Sequence, residues 1–303
     1  MSKHITQNAF WVVFSAIMIG LFLPIVSHEL RPYTFVFLFI VVFCALMRLP
    51  PAKIGGGGYK IKMGKLLLWQ LVLTPIAVWA GVSIIGLPAG ISAIFIVCSC
   101  VGPVFSTPAF SKLMGLDDRF TVQNLLLSTL LMPLSLMVTG YFLLPVQLDL
   151  DFKTFAVRVV IFLCVPFIGG YIFRRVTTLS FQEKSSNPIL SISTVSLALM
   201  ACSLMDGIAY RIIQSPLDMI YLSALALSFN LILQGVTTYL FKSFGADFAL
   251  NAGLVCGYRN WALTLALTAG SLGDDFTTFV AIGQFGVMLL PIPTLRLLKK
   301  LIQ

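Results

Sequence analysis

Charge is what this chain has least of. Lysine, arginine, aspartate and glutamate make up 10% of its 303 residues, while 58% are hydrophobic; soluble domains carry about 25% charge. That scarcity excludes a soluble globular protein and indicates an integral membrane protein, with the lipid bilayer as its first partner. Histidine is almost missing too. His4 and His28 lie near chain or helix ends, so no histidine-based catalytic or metal centre can be built. The sequence has no HExxH, no GxSxG and no Walker motif, and no buried His or Asp pair for acid–base work, which argues against an enzyme or a nucleotide-driven pump. The net charge of +9 comes from basic residues scattered over short loops, which fits membrane topology and not nucleic acid.

Cysteine is present but unpaired in pattern. Cys44, Cys98, Cys100, Cys164, Cys202 and Cys256 all fall inside apolar runs, so they read as small buried hydrophobes. Neither a metal nor a cofactor is implied. No cleavage signature follows the first apolar stretch, and residues 8–27 read as a retained first helix.

What the chain has in abundance is apolar runs near the ~20 residues that a spanning helix needs. Ten are visible, at 8–28, 33–48, 65–86, 89–114, 119–145, 153–176, 187–206, 216–241, 246–270 and 274–297. Between the second and third lies a basic loop whose GGGG at 55–58 reads as a flexible link. If the runs alternate sides, fifteen of the twenty Lys and Arg fall on one side and four on the other, with Arg259 inside a run. Basic loops stay cytoplasmic. The expectation is a cell (inner) membrane protein with both termini in the cytoplasm.

Two runs are interrupted. The fourth, "AIFIVCSCVGPVFSTPAFSKLMG", contains Gly102-Pro103 and then Pro108. The ninth, "NAGLVCGYRNWALTLALTAG", contains Gly257 followed by Arg259 and Asn260. Proline removes a backbone donor and clashes with the preceding turn, and glycine weakens a helix. Each interrupted run is fourth in a set of five, and five spans reverse the orientation of the second set. The fold class expected is therefore all-α and integral to the membrane, with ten transmembrane helices as two inverted five-helix repeats, 1–148 and 149–303, and broken helices 4 and 9. Paired broken helices at matching positions are a sequence pointer to a transporter's binding site. An arginine inside such a run costs about 2.5–3.5 kcal/mol on insertion scales, so intramembrane charges are functional by default.

These segments resemble the bile acid:sodium symporter (BASS) family in its broad bacterial sense. The likeness is clearest in "LPAGISAIFIVCSCVGPVFSTPAFSKLMGLDDRFTVQNLLLSTLLMPLS" (87–135), and returns in "GLVCGYRNWALTLAL" and "FVAIGQFGVMLLPI" (253–292). It implies a core domain holding both broken helices and a panel domain of helices 1, 2, 6 and 7, with alternating access by movement of one against the other. The family's polar pair after the first break falls on Ser106-Thr107. Its third-helix glutamine falls on Gln70, five residues before Pro75, and its eighth- and ninth-helix asparagines fall on Asn230 and Asn260.

The departures matter as much. The ninth-helix glutamate that serves sodium in coupled relatives falls on Val255, the neighbouring glutamine ligand on Arg259, and one hydroxyl ligand on Leu125, with Thr121, Asn124, Ser128 and Thr129 nearby. No acidic residue lies between Asp218 and Asp247, or between Asp247 and Asp274. A guanidinium repels sodium, so Arg259 is expected to stand in for the ion. It would bond Gln70, Ser106 or Thr107, and carbonyls freed by the breaks.

The other role open to Arg259 is a clamp on a substrate carboxylate or sulfonate, with Asn260, Ser106, Thr107 and Asn230 beside it. The cation site, or its substitute, comprises Arg259, Gln70, Ser106, Thr107, Thr121 and Asn124. The function expected is secondary transport of small organic anions. A sodium-coupled bile acid-type symporter and an uncoupled channel or sensor of the same fold are the alternatives. Sodium against proton coupling stays open, with Asp206 the remaining proton-carrier candidate, and so does monomer against homodimer.

Overall fold

A computed structural model of the chain describes residues 9–48, 60–144, 152–268 and 272–302. The GGGG link at 55–58 and the 148/149 boundary between the expected repeats lie outside them. All regular structure among the described residues is helical: α1 (Ala9–Phe22), α2 (Pro24–Met47), α3 (Lys60–Ile85), α4 (Ala89–Ser99), α5 (Thr107–Leu113), α6 (Asp118–Phe142), α7 (Lys153–Val176), α8 (Leu179–Gln214), α9 (Pro216–Leu240), α10 (Ala246–Gly257), α11 (Trp261–Thr268), α12 (Gly273–Leu289) and α13 (Pro291–Ile302).

Six of these, α2, α3, α6, α7, α8 and α9, are long and apolar enough to cross a membrane, and α12 with α13 makes a further pair bent by 55°. The remaining apolar runs hold shorter helices, α1, α4 and α10. Many of the side chains turned outward are large and apolar, Ile25 and Ile84 being 79% and 86% exposed. Water does not tolerate such surface over whole helices, and lipid does. The chain is a multi-pass helical membrane protein. The seventh run is longer than its apolar core suggests. α8 starts at Leu179, where the Thr178 hydroxyl accepts from the Phe181 amide, so polar residues 182–187 are helical as well.

The helices gather into two compact units that each draw on both halves of the chain: residues 1–49, 152–223 and 277–284 in one, and 50–151, 224–276 and 285–303 in the other. In the first unit α8 packs along α1 and α2, and α7 packs on α2. Close approach is set by small residues. A Cβ on Gly20 would lie 2.5 Å from the Cys202 carbonyl oxygen, so α1 can meet α8 only at glycine. Polar pairs pin the same layer: the Thr34 hydroxyl donates to Ser203 at 2.8 Å, and Asp206 takes Arg31 at 2.8 Å and His28 at 3.4 Å.

The second unit contains both interrupted runs and Arg259. Its core is built on α10, whose residues from Phe248 to Gly257 are all buried. An aromatic layer of Phe120, Phe241 and Phe248 covers one side, and Leu116, Leu250, Leu254 and Leu295 cover another.

Candidate functional site: a buried arginine between two broken helices

Both interrupted runs stop being helical where the sequence puts proline or glycine beside polar groups. α4 ends at Ser99 and α5 starts at Thr107; α10 ends at Gly257 and α11 starts at Trp261. The two gaps are joined to one another. The Val104 amide donates to the Tyr258 carbonyl at 2.9 Å and the Asn260 amide to the Gly102 carbonyl at 2.9 Å, an isolated antiparallel bridge centred on Pro103 and Arg259. Each break thus satisfies backbone groups that the other has released, as buried backbone requires.

Glycine lets the neighbours close on this bridge. A Cβ at Gly102 would sit 2.8 Å from Ser128 Oγ on α6, and one at Gly257 would sit 2.6 Å from Gln234 Cβ on α9. Pro108 behaves differently from the break expected of it. It lies in the first turn of α5, where its missing N–H is one that no helix bond would use, so it starts a helix.

Arg259 is fully buried, and its guanidinium faces carbonyl oxygens only. Nε donates to Cys256 O at 2.9 Å, while Nη1 donates to Gln70 O at 3.1 Å, to Val101 O at 3.0 Å and to Ser99 O. Ser99 and Val101 lie at the C-terminal end of α4, and Cys256 at that of α10. These are the negative ends of two helix dipoles. Gln70 O is free for a separate reason. Residues Trp69–Leu73 form a π turn in α3, and the donor that would continue it is Pro75, which has no N–H. The Leu71 oxygen that Pro75 also leaves is taken by the Ser135 hydroxyl at 2.5 Å.

Among the described residues Arg259 meets carbonyl oxygens and has no carboxylate partner. Hydrogen bonds to a charged group net about 1.5–3 kcal/mol each. Two good ones therefore match the insertion cost of about 2.5–3.5 kcal/mol.

The other residues singled out from sequence divide into two groups. Gln70 and Asn124 join Arg259: Asn124 Nδ2 donates to Gln70 Oε1 at 3.0 Å, and Gln70 Nε2 reaches Val255 O at 3.4 Å. Ser106 and Thr107 do not bond the guanidinium. They sit past the bridge, where Ser106 is exposed and the Thr107 hydroxyl donates to Val104 O at 2.9 Å. Nη1 is already engaged by carbonyls on the near side of the break, which is why the hydroxyls are not needed. Thr121 donates to Asp118 O at 2.9 Å within its own helix. Asn260 is the N-cap of α11, its Oδ1 accepting from the Leu263 amide at 3.1 Å. Asn230 is buried on α9, and among the described residues neither of its amide atoms has a hydrogen-bond partner.

A scan against protein-family models finds no match to this chain, and a search of curated proteins finds none either. The site must be read from its own chemistry.

That chemistry includes a polar stripe of which the sequence reading picked out only Asn230. Asn230, Gln234 and Thr238 recur every four residues along α9, facing Gly257 and Gly253 of α10. Tyr258 joins them, its hydroxyl lying 3.0 Å from Gln234 Oε1 and 2.9 Å from Thr294 Oγ1 on α13. Gln234 Nε2, Thr238 Oγ1, Asn124 Oδ1 and Arg259 Nη2 are buried with no partner among the described residues. The helical spacing was the available signal, since three polar side chains on one face of an apolar helix are unusual.

Proposed function

We propose that this chain is a secondary transporter of small organic anions, carboxylates or sulfonates, working by alternating access in the cell (inner) membrane. Ten spans form two inverted five-helix repeats, 1–148 and 149–303, whose fourth members cross at the Pro103–Arg259 bridge. Arg259 takes the place of a sodium ion. The carrying observation is that four backbone carbonyls from α3 and the ends of α4 and α10 converge on one guanidinium with no carboxylate beside it. Hard oxygen ligands gathered in this way are what a monovalent cation requires. A side chain that carries the charge covalently holds the two broken helices together without an ion being bound and released.

The same arrangement favours an anionic solute. Nη2 of the guanidinium and the amide of Asn230 have hydrogen-bonding capacity left over, and the guanidinium makes the region electropositive. Binding through Nη2 leaves the carbonyl contacts of Nε and Nη1 intact, so the structural and the substrate role of Arg259 are compatible. Sodium-coupled symport is the weaker reading, because Val255 offers no carboxylate and a second cation beside Arg259 would be repelled. Purified protein in proteoliposomes tests the proposal. Labelled organic anion should exchange in counterflow and accumulate equally with sodium or choline outside. Strict sodium dependence would sink the substitution, and dissipation without counterflow would point to a channel.

A further inference from the structure

A second charged pocket lies in the same unit, where α3, α6 and α10 begin. It encloses about 390 Å³ and is lined by Lys62, Asp117, Asp247, Asn251 and the rings of Phe120, Phe244 and Phe248. Lys62 Nζ donates to Phe244 O at 3.2 Å and stands 5.5 Å from the centre of the Phe248 ring and 5.8 Å from that of Phe244. Lys65 approaches the same Phe244 ring at 5.2 Å. One N–H of the Lys62 ammonium is thus engaged, and among the described residues its remaining donors have no partner.

Lys62 and Asp247 share this pocket without pairing with each other. Asp247 is exposed and, among the described residues, has no hydrogen-bond or ion-pair partner and does not pair with Lys62. Asn251 is committed to the wall, accepting from the Ser111 hydroxyl at 2.7 Å and donating to Asp117 O at 3.2 Å. A simple anion entering here would meet Asp247 and Asp117, and a simple cation would meet Lys62. A ligand that carries both signs a few ångströms apart satisfies both sides. Lysines beside aromatic rings at the end of membrane helices also mark the depth of lipid head groups.

We propose that this pocket binds a phosphoethanolamine head group, its phosphate accepting from Lys62 and its primary ammonium donating to Asp247, with phosphatidylethanolamine of the bilayer as the source. The assignment rests on the membrane location of the chain and is independent of what the chain transports.

Native mass spectrometry of the full chain, released from detergent after exposure to equal amounts of phosphatidylethanolamine and phosphatidylglycerol, reads this directly. Phosphatidylethanolamine should be retained about tenfold better. Lys62→Gln and Asp247→Asn should each lower its retention about tenfold with unchanged thermal midpoints, the size of a lost charge-assisted contact. Lys62→Arg should retain it, which separates lost charge from lost fold. Soluble phosphoethanolamine identifies the source: competition shows that the head group suffices, and failure to compete, with the lipid still retained, shows that the acyl chains are needed. Equal retention of phosphatidylglycerol, strengthened by Asp247→Asn, would mean a plain anion site and overturn the proposal. So would a protein that retains neither lipid and does not respond to phosphoethanolamine.

Discussion

Arg259 Nη1 donates to the carbonyl oxygen of Gln70 at 3.1 Å, across 189 residues of sequence. The contact exists because Pro75 cannot supply the amide that would otherwise occupy that oxygen. A helix defect on α3 and a charge in the break after α10 are thus two halves of one device. The arginine needs acceptors, and the proline, with the unwound end of α4, leaves acceptors unclaimed.

The first expectation concerns the arginine itself. Arg259→Ala strands four carbonyls, and each contact to the charge is worth about 1.5–3 kcal/mol. The thermal midpoint in detergent should fall clearly. Low-millimolar guanidinium or methylguanidinium should recover much of the loss by refilling the carbonyl cage, with sodium recovering less. Arg259→Lys should fall between the two, because an ammonium cannot reach the Cys256 carbonyl and the Ser99, Val101 and Gln70 group together. A wild-type midpoint for Arg259→Ala would remove the structural role.

Pro75 should separate stability from activity. Pro75→Ala restores an amide able to reclaim the Gln70 or Leu71 oxygen, and relieves a proline that in an ordinary helix interior costs about 3 kcal/mol. The midpoint should hold or rise while organic anion uptake falls, since Arg259 loses an acceptor. Uptake at the wild-type rate would show that the π turn does not serve the arginine.

What the sequence disclosed followed the chemistry of its residues. Long apolar runs announce the membrane, and Gly102-Pro103 and Gly257 announce where two helices stop, because backbone donors and torsions are properties of residue type. Arg259 is conspicuous for the same reason. Its partners are not, since every residue owns a carbonyl and only packing decides which carbonyls are unclaimed. Ser99, Val101 and Cys256 carry no mark in the sequence. The contact expected with Ser106 or Thr107 failed on this point, side-chain hydroxyls having been sought where backbone oxygens suffice. Pro108, read as a break, starts a helix instead, and Asn260, read as a substrate ligand, caps one.

Asp206 allows a test of proton coupling. Its carboxylate pairs with Arg31 at 2.8 Å and approaches His28 at 3.4 Å, and both partners are more than half exposed. Pairs of this kind contribute about 0–1 kcal/mol, and Asp206 already has a structural task in holding Arg31 and His28. Asp206→Asn should leave uptake under an imposed pH gradient close to wild type. Loss of gradient-driven uptake with counterflow intact would make Asp206 the proton carrier instead.

The α9–α10 seam gives a prediction with its own control. A Cβ on Gly253 would lie 1.9 Å from Thr238 Oγ1, a contact that requires a shift. Gly253→Ala should therefore cost about 1–3 kcal/mol through overpacking. Thr238→Ala alone removes a buried hydroxyl that has no partner, so its own effect should be small. In the double variant the inserted methyl meets Thr238 Cβ at 3.2 Å and the Gln234 carbonyl at 2.8 Å, so recovery should be partial. A double-mutant cycle on thermal midpoints measures this coupling, which should be favourable and about 0.5–3 kcal/mol for residues in contact. Gly64 and Gly81 on α3 have nothing within 4 Å of a Cβ. Alanine there should be neutral or stabilising by about 0.5–1 kcal/mol. If all three glycines responded alike, helix propensity would govern them, and the close seam beside Arg259 would have no energetic role.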